Sequence, residues 1–356
     1  MSNFDIVVFG DSLTDNGNKW KLTNKAIPSQ EFYFKGRKTN GHVWVEYLAS
    51  SLPAKLTDLA FQGAVTDVNI YKNLSTNNNT ISYNNSVPSV AEQVKSFLPN
   101  VSHYPPQTLY IFWIGCNDYK KIFIYNLNIT HTEILNSLHN SISLLSSMGA
   151  HKFLILNLPP IHRIPYFKDN DSVSSENLTH LQNLVENYNI MLNKTISNLV
   201  QSNRQIFIKV FDTWGFLERI INNPQVYGFK DLVNTCLNLS YVREKEENGK
   251  EGGKEREEEE KKERGKNSLN LRNNIVEYDK NGKIENYHYS DNNDDNNVDD
   301  ETIFNSSNSS QIVCENPDEY LWWDESHPTK KFHKLLALEV ESFLRSPEGN
   351  CLYLVN

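Results

Sequence analysis

The chain has 356 residues, 38% of them hydrophobic and 22% charged, with a formal net charge of −9. That acidic balance offers no electrostatic footprint for nucleic acid, whose binders carry clustered basic faces, and no apolar run approaches the roughly 20 residues a membrane helix needs. We therefore expect one sizeable core, no nucleic-acid partner and no integral membrane contact.

Residues 1–5 hold no basic, apolar or cleavage region of a secretory signal. The sequence as it stands reads as cytoplasmic, and as secreted if its N-terminus is truncated. Asn-x-Ser/Thr sequons, among them Asn73, Asn100, Asn128, Asn193 and Asn238, matter only in a secreted chain, and in one so rich in Asn chance explains most of them.

Apolar runs predict strands at 4–9, 56–61, 108–114, 152–158 and 205–211. Between and after them, helical periodicity covers 43–52, 90–98, 133–148, about 176–203 and 330–344. Strands alternating with helices favour right-handed βαβ units. The predicted fold is α/β, a three-layer α/β/α sandwich with a five-stranded parallel sheet and every strand's carboxyl end at one edge. From about 241 to 310 the pattern stops: 244–266 is nearly all Lys, Glu, Arg and Gly, and 287–310 is rich in Asn, Asp and Ser. Such composition buries too little apolar surface to offset chain entropy. We expect a single domain over 1–356, interrupted there by a disordered insert, with a lone solvated helix as the alternative for the charged run. Cys116, Cys236, Cys314 and Cys351 lack the close spacing of zinc or redox motifs, so no metal is expected. Cys236 and Cys314 flank the insert; a disulfide and two buried thiols are both open.

Two separated segments carry the chemistry: Gly10-Asp11-Ser12-Leu13-Thr14-Asp15 and Trp323-Asp324-Glu325-Ser326-His327-Pro328. Ser12 follows the first strand, at the edge where α/β sheets place ligands. Asp324 stands three residues before His327, close enough to orient the imidazole while it deprotonates Ser12. Acyl transfer also needs donors for an oxyanion. The candidates are the Ser12 N–H, Gly63 after the second strand and the Asn117 side chain after the third. Taken singly, Ser12 reads as a helix cap, Asn117 and Gly63 as turn residues, and His327 as an ordinary loop histidine. Trp322 and Trp323 read as packing, with one free to face a sugar ring.

Phe9-Gly10-Asp11-Ser12, Gly63, Gly115-Cys116-Asn117-Asp118 and Asp324-Glu325-Ser326-His327-Pro328 occur in the order of the four blocks that name the GDSL-type, or SGNH, hydrolases. The chain resembles that family over roughly 4–240 and 311–346. Residues 40–49, 87–94 and 316–320 look like its fungal acetylesterase-like carbohydrate esterases. The resemblance implies a flavodoxin-like sandwich, no metal, no cofactor, and an esterase working through an acyl-enzyme on Ser12 with an oxyanion hole from Ser12, Gly63 and Asn117. The substrate it implies is a small-molecule or carbohydrate ester, with an acetyl group favoured. A lipase, an acyltransferase and an inactive binding module are the alternatives. One departure stands out: the family's second block has Asn and Gly where this chain has Asp58 and Gln62.

Overall fold

The computed structural model describes residues 5–72, 87–168, 173–239 and 312–346, with two short strands at Ser75–Thr76 and Asn79–Thr80. Of the two compact units into which the chain divides, the first covers Met1–Asn238 and Val313–Asn356, and the second is Leu239–Ile312. The expected insert at 241–310 lies outside the described residues, as do Cys351 and the Asn73 sequon.

Nine strands are described: β1 Asp5–Gly10, β2 Lys55–Asp58, β3 Ser75–Thr76, β4 Asn79–Thr80, β5 Leu109–Trp113, β6 Lys152–Leu156, β7 Phe207–Phe211, β8 Asp231–Thr235 and β9 Tyr320–Trp322. Five of them form one all-parallel sheet in the order β2-β1-β5-β6-β7. With the β3–β4 hairpin set aside, this is the 2-1-3-4-5 order of flavodoxin-like folds, whose switch point lies between the first strand and its inner neighbour. The helices are α1 Asn18–Leu22, α2 Trp44–Ser51, α3 Val90–Phe97, α4 Cys116–Tyr125, α5 His131–Ser147, α6 Pro165–Lys168, α7 Ser175–Ser202, α8 Thr213–Asn222 and α9 Lys330–Arg345.

A strand buried on both faces reads as a continuous apolar run, because successive side chains point to opposite sides. In β1, Val7 and Phe9 join one core cluster and Ile6 and Val8 the other. The first cluster packs α3, α5 and α7 against the sheet; the second packs α2, α8 and α9. Helix α7 buries Leu181, Val185, Tyr188, Leu192, Ile196 and Leu199, the three-and-four spacing of one helical face. Full burial of such side chains stabilises by about 1.5–3 kcal/mol each. Ser174 caps α7 by accepting the Asn177 N–H, and Thr130 and Glu133 close a capping box at α5.

The five expected strands and five expected helices are all present, with shifted ends. The second strand ends at Asp58 rather than at residue 61, although the Leu59 and Phe61 N–H groups still donate to the Val8 and Gly10 carbonyls of β1 at 2.9 and 3.2 Å, and the Asp58 carboxylate accepts the Ala60 N–H at 2.8 Å. Helices α1, α4, α6 and α8, the β3–β4 hairpin and the parallel pair β8–β9 escaped the periodicity. Helix α4 is the instructive case, since it buries only Asp118, Tyr119 and Ile122. Cys236, just after β8, forms a disulfide with Cys314 across 78 positions, which decides the question left open by the sequence. The Cys236 N–H donates to the Trp322 carbonyl at 3.0 Å and the Cys314 N–H to the Cys236 carbonyl at 2.8 Å, so the bridge is tied into β9. Among the described residues no helix is long and apolar enough to cross a membrane.

Candidate active site

Strand β1 ends at Gly10, whose backbone is gripped twice by Gln93 of α3: the Gly10 N–H donates to Oε1 and the Gln93 Nε2 donates to the Gly10 carbonyl, both at 3.0 Å. A Cβ on Gly10 would stand 2.7 Å from the Trp113 carbonyl oxygen, so only glycine lets β1 finish this close to β5. Beyond it the Thr14 and Asp15 N–H groups donate to the Asp11 carbonyl at 3.0 and 2.9 Å, and the Leu13 N–H donates to Asp11 Oδ1 at 3.0 Å. This turn holds Ser12.

The histidine loop is built differently. It leaves β9 and closes on itself through the Trp323 N–H, which donates to the His327 carbonyl at 2.8 Å, while Asp324 Oδ1 accepts the N–H groups of Ser326 and His327 at 2.8 and 2.9 Å. The same carboxylate lies 2.7 Å from His327 Nδ1, and His327 Nε2 lies 2.9 Å from Ser12 Oγ. Tyr33 donates its O–H to Asp324 Oδ2 at 2.7 Å. Burial alone would raise the Asp324 carboxyl, but the His327 charge and hydrogen bond, Lys38 and the Ser326 N–H hold it well below the usual carboxylate range. An ionised Asp324 makes Nδ1 the protonated nitrogen of a neutral His327, leaving Nε2 free to accept the Ser12 O–H.

Gly63 and Asn117 line the same pocket as Ser12 and His327. Gly63 has φ +83° and a Cβ there would meet nothing within 4 Å, so a left-handed residue borders open space, as glycine best permits. Asn117 lies in the first turn of α4 rather than on the strand end. Its Nδ2 donates to the Ala64 carbonyl at 2.9 Å, and the next acceptor, Asp11 Oδ2, is a long 3.4 Å away. Gln62, the departure from the family block, donates its N–H to Asp15 at 2.8 Å and its Nε2 to the Gly36 carbonyl at 2.7 Å, while its buried Oε1 has no hydrogen-bond partner. The Gln62 backbone thus ties the Gly63 loop to Asp15, and its side chain ties the loop to Gly36.

Buried carboxylates surround the nucleophile turn. Burial raises the Asp11 carboxyl to about 7, with the charges of Asp118 and Asp15 adding to it against the Leu13 N–H. Burial raises Asp118 to about 6, opposed by hydrogen bonds from Tyr71 and Thr66. Asp15 and Asp58 are also raised, again by burial first. Asp58, the other departure, accepts the Asn16 N–H at 3.1 Å and so braces the same turn. Burial raises the Cys116 thiol well above its ordinary range, which keeps it protonated and inert. Trp323 is fully buried, donating to the Phe32 carbonyl at 3.0 Å, whereas Trp322 lines the pocket. Among the described residues no group of three or more His, Cys, Asp or Glu could hold a metal ion.

The sequence reading did not find Gln93, Tyr33, Lys38 or Lys120 as parts of the site. Tyr33 and Asp324 are 291 positions apart and Gly10 and Gln93 are 83 apart, and no local motif links them.

An Asp–His–Ser hydrogen-bond chain at the carboxyl edge of a 2-1-3-4-5 sheet has the geometry of a serine hydrolase site. The family described as GDSL-like Lipase/Acylhydrolase matches residues 6–340, so the chain belongs to that family. The phosphatidylcholine-sterol acyltransferase of Aeromonas hydrophila is 29% identical over 241 residues, 67% of this chain and 66% of that protein. The acetylesterase of Thermothelomyces thermophilus is 26% identical over 247 residues, 65% and 78% of the two chains. The thermolabile hemolysin of Vibrio parahaemolyticus is 26% identical over 239 residues, and the match spans 51% of its length. Among solved structures, an alpha/beta hydrolase enzyme from the metagenome of Lake Arreo shares 13% identity at a TM-score of 0.37, over 62% of this chain and 81% of its own.

Proposed function

We propose that the protein hydrolyses small acyl esters, acetyl esters of a carbohydrate or similar alcohol among them, through an acyl-enzyme on Ser12. His327 takes the Ser12 proton as the hydroxyl attacks the ester carbonyl, and Asp324 holds the imidazole in the required tautomer and steadies its positive charge. The oxyanion that forms is met by the N–H groups of Ser12 and Gly63 and by the Asn117 amide. His327 then protonates the leaving alcohol, and in the second half-reaction it activates a water that releases the acid. The observation that carries this reading is the hydrogen-bond chain Asp324–His327–Ser12 at 2.7 and 2.9 Å, opening on a pocket of about 300 Å³. Pockets of that size hold small ligands.

The test is single-turnover release of p-nitrophenol from acetyl, butyryl and octanoyl esters by wild type and Ser12→Ala. A burst in the wild type, reduced at least a thousandfold in a folded Ser12→Ala, is the expected outcome. The preferred chain length separates an acetylesterase from a lipase. Absence of a burst with every ester would leave a binding module. A second reading is transfer of the acyl group to an alcohol, favoured by the similarity to an acyltransferase; product analysis with a competing alcohol distinguishes it.

A further inference from the structure

The cavity and the protein differ in sign. The chain carries a net charge of −9, yet the acidic and basic side chains lining the pocket, beside the Cys116 thiol, are Asp11, Lys19, Lys38, Lys120 and His327. Residues 17–39, which border it, contain Lys19, Lys21, Lys25, Lys35, Arg37 and Lys38 against Glu31 alone. Lys38 and Lys120 are the two cations fixed beside the histidine loop. Lys38 Nζ stands 4.2 Å from the Tyr33 ring centroid and 4.0 Å from Asp324 Oδ2. Lys120 Nζ stands 3.6 Å from the Tyr166 ring centroid and donates to Ser326 Oγ at 3.0 Å.

We propose that the ester's alcohol portion bears an anionic group, a phosphate or carboxylate, which Lys38 and Lys120 hold; this rests on the ester-hydrolase reading above. Two arguments give the anion its place. His327 must hand its proton to the leaving alcohol, so that alcohol lies against the histidine loop, where both ammonium groups are anchored. Asn117, which marks the oxyanion side, sits one turn before Lys120 on the same face of α4, so carbonyl and anion can be gripped by one helix. Most of the other walls are apolar, among them Ile161, Ile164, Phe167 and Phe332, and suit the acyl portion.

Neighbouring carboxylates do not remove the need for an anion. Asp324 is outside the lining, and its oxygens already accept from His327, Ser326 and Tyr33. Glu325 also acts on Lys120 but is not part of the lining. Burial lowers the Lys120 ammonium, against the attraction of Asp324 and Glu325, and repulsion from Lys121 and Lys38 adds to the lowering. Two partly desolvated like charges facing one cavity disfavour each other, and an anion placed between them reverses that.

The test compares three butyryl esters of matched size: 4-butyryloxybenzoate, its methyl ester, and the 4-trimethylammonium phenyl analogue. Rates are normalised to hydroxide hydrolysis so that only recognition differs. Wild type is expected to favour the anionic ester over the neutral one by about tenfold in kcat/KM, the scale of one charge-assisted hydrogen bond, and to disfavour the cationic one. Lys38→Gln with Lys120→Gln brings the anionic-to-neutral ratio to about one, while Lys38→Arg with Lys120→Arg keeps it, and added salt erodes it. A wild-type ratio of one, or a ratio untouched in the glutamine variant, overturns the proposal. Should no ester turn over, calorimetric binding of 4-butyryloxybenzoate to Ser12→Ala reads the subsite apart from catalysis: lysine-dependent binding supports it and absent binding overturns it. Parallel arms with soluble butyrylglycerol 3-phosphate and phosphatidylglycerol vesicles tell a free phosphoester from a lipid headgroup, lysine dependence in either supporting the subsite.

Discussion

Ser12, Gly63 and Asn117 follow three neighbouring strands of the main sheet, β1, β2 and β5, whereas Asp324 and His327 stand on a loop fed by the two-stranded β8–β9 pair. The first group is placed by the sheet itself: once β1, β2 and β5 pair in register, their carboxyl ends cannot be far apart. The second group is placed by tertiary ties, namely the Cys236–Cys314 bridge, the Tyr33 hydroxyl and the Trp323 indole on the Phe32 carbonyl. Their carboxylates differ in sign of shift as well. Around the nucleophile, Asp11, Asp15, Asp58 and Asp118 are raised by burial; beside the histidine, Asp324 is lowered by its partners. One half of the site is therefore compatible with protonated carboxyls, and the other depends on an ionised one.

The sharpest way to break this contrast is Asp324→Asn. The amide keeps the shape of the carboxylate, yet it loses the charge that steadies His327 and favours the wrong tautomer. Turnover of p-nitrophenyl butyrate should fall on the order of a thousandfold, with KM little changed and the Ser12 half of the site intact by crystallography. Retention of more than a tenth of the activity would mean that Asp324 does not orient the base. Removing the bridge with Cys236→Ser and Cys314→Ser strikes the histidine half alone. A closure of this length contributes on the order of 2–4 kcal/mol, so urea unfolding should shift by about that much. Activity should fall before global unfolding, because the loop after β9 loosens first. Loss of activity only together with the whole fold would show that the two halves are not separately held.

The same contrast explains what could be read from the sequence. The sheet and its flanking helices are written in local apolar periodicity, and a strand end with Gly10-Asp11-Ser12 keeps its partners within a few residues. Asp324 and His327 were legible for the same reason, being three positions apart on one turn. Gln93 and Tyr33 were not, because each acts on a residue far along the chain, and their types carry no signal until the fold brings them in. Helix α4 was hidden by its polar face, and with it the placing of Asn117 and Lys120 on one side of a helix. The Gln62 departure was visible as a letter; its grip on the Gly36 carbonyl was not.

A subtler effect separates the halves by pH. The Asp11 carboxyl moves from an ordinary 3.8 to about 7 in the fold, chiefly by burial. A raised carboxyl means that between those values the native state holds a proton the unfolded chain has released, so stability is fully present below about 3.8 and is lost as pH rises through about 7. Each pH unit in that window costs about 1.4 kcal/mol at most. Asp324 runs the other way: its lowered carboxyl contributes above 3.8 and is lost only as pH falls below that value. Between pH 4.5 and 7 the two halves therefore separate, since Asp324 stays ionised in both states while Asp11 titrates. Asp11→Asn, which keeps an acceptor for the Leu13 N–H and cannot ionise, should flatten that part of the profile. In urea unfolding at pH 5 and 6, wild type should gain up to about 1.4 kcal/mol on the variant at the lower pH. Equal pH slopes in the two proteins would place the titration on other carboxyls, Asp118 first among them.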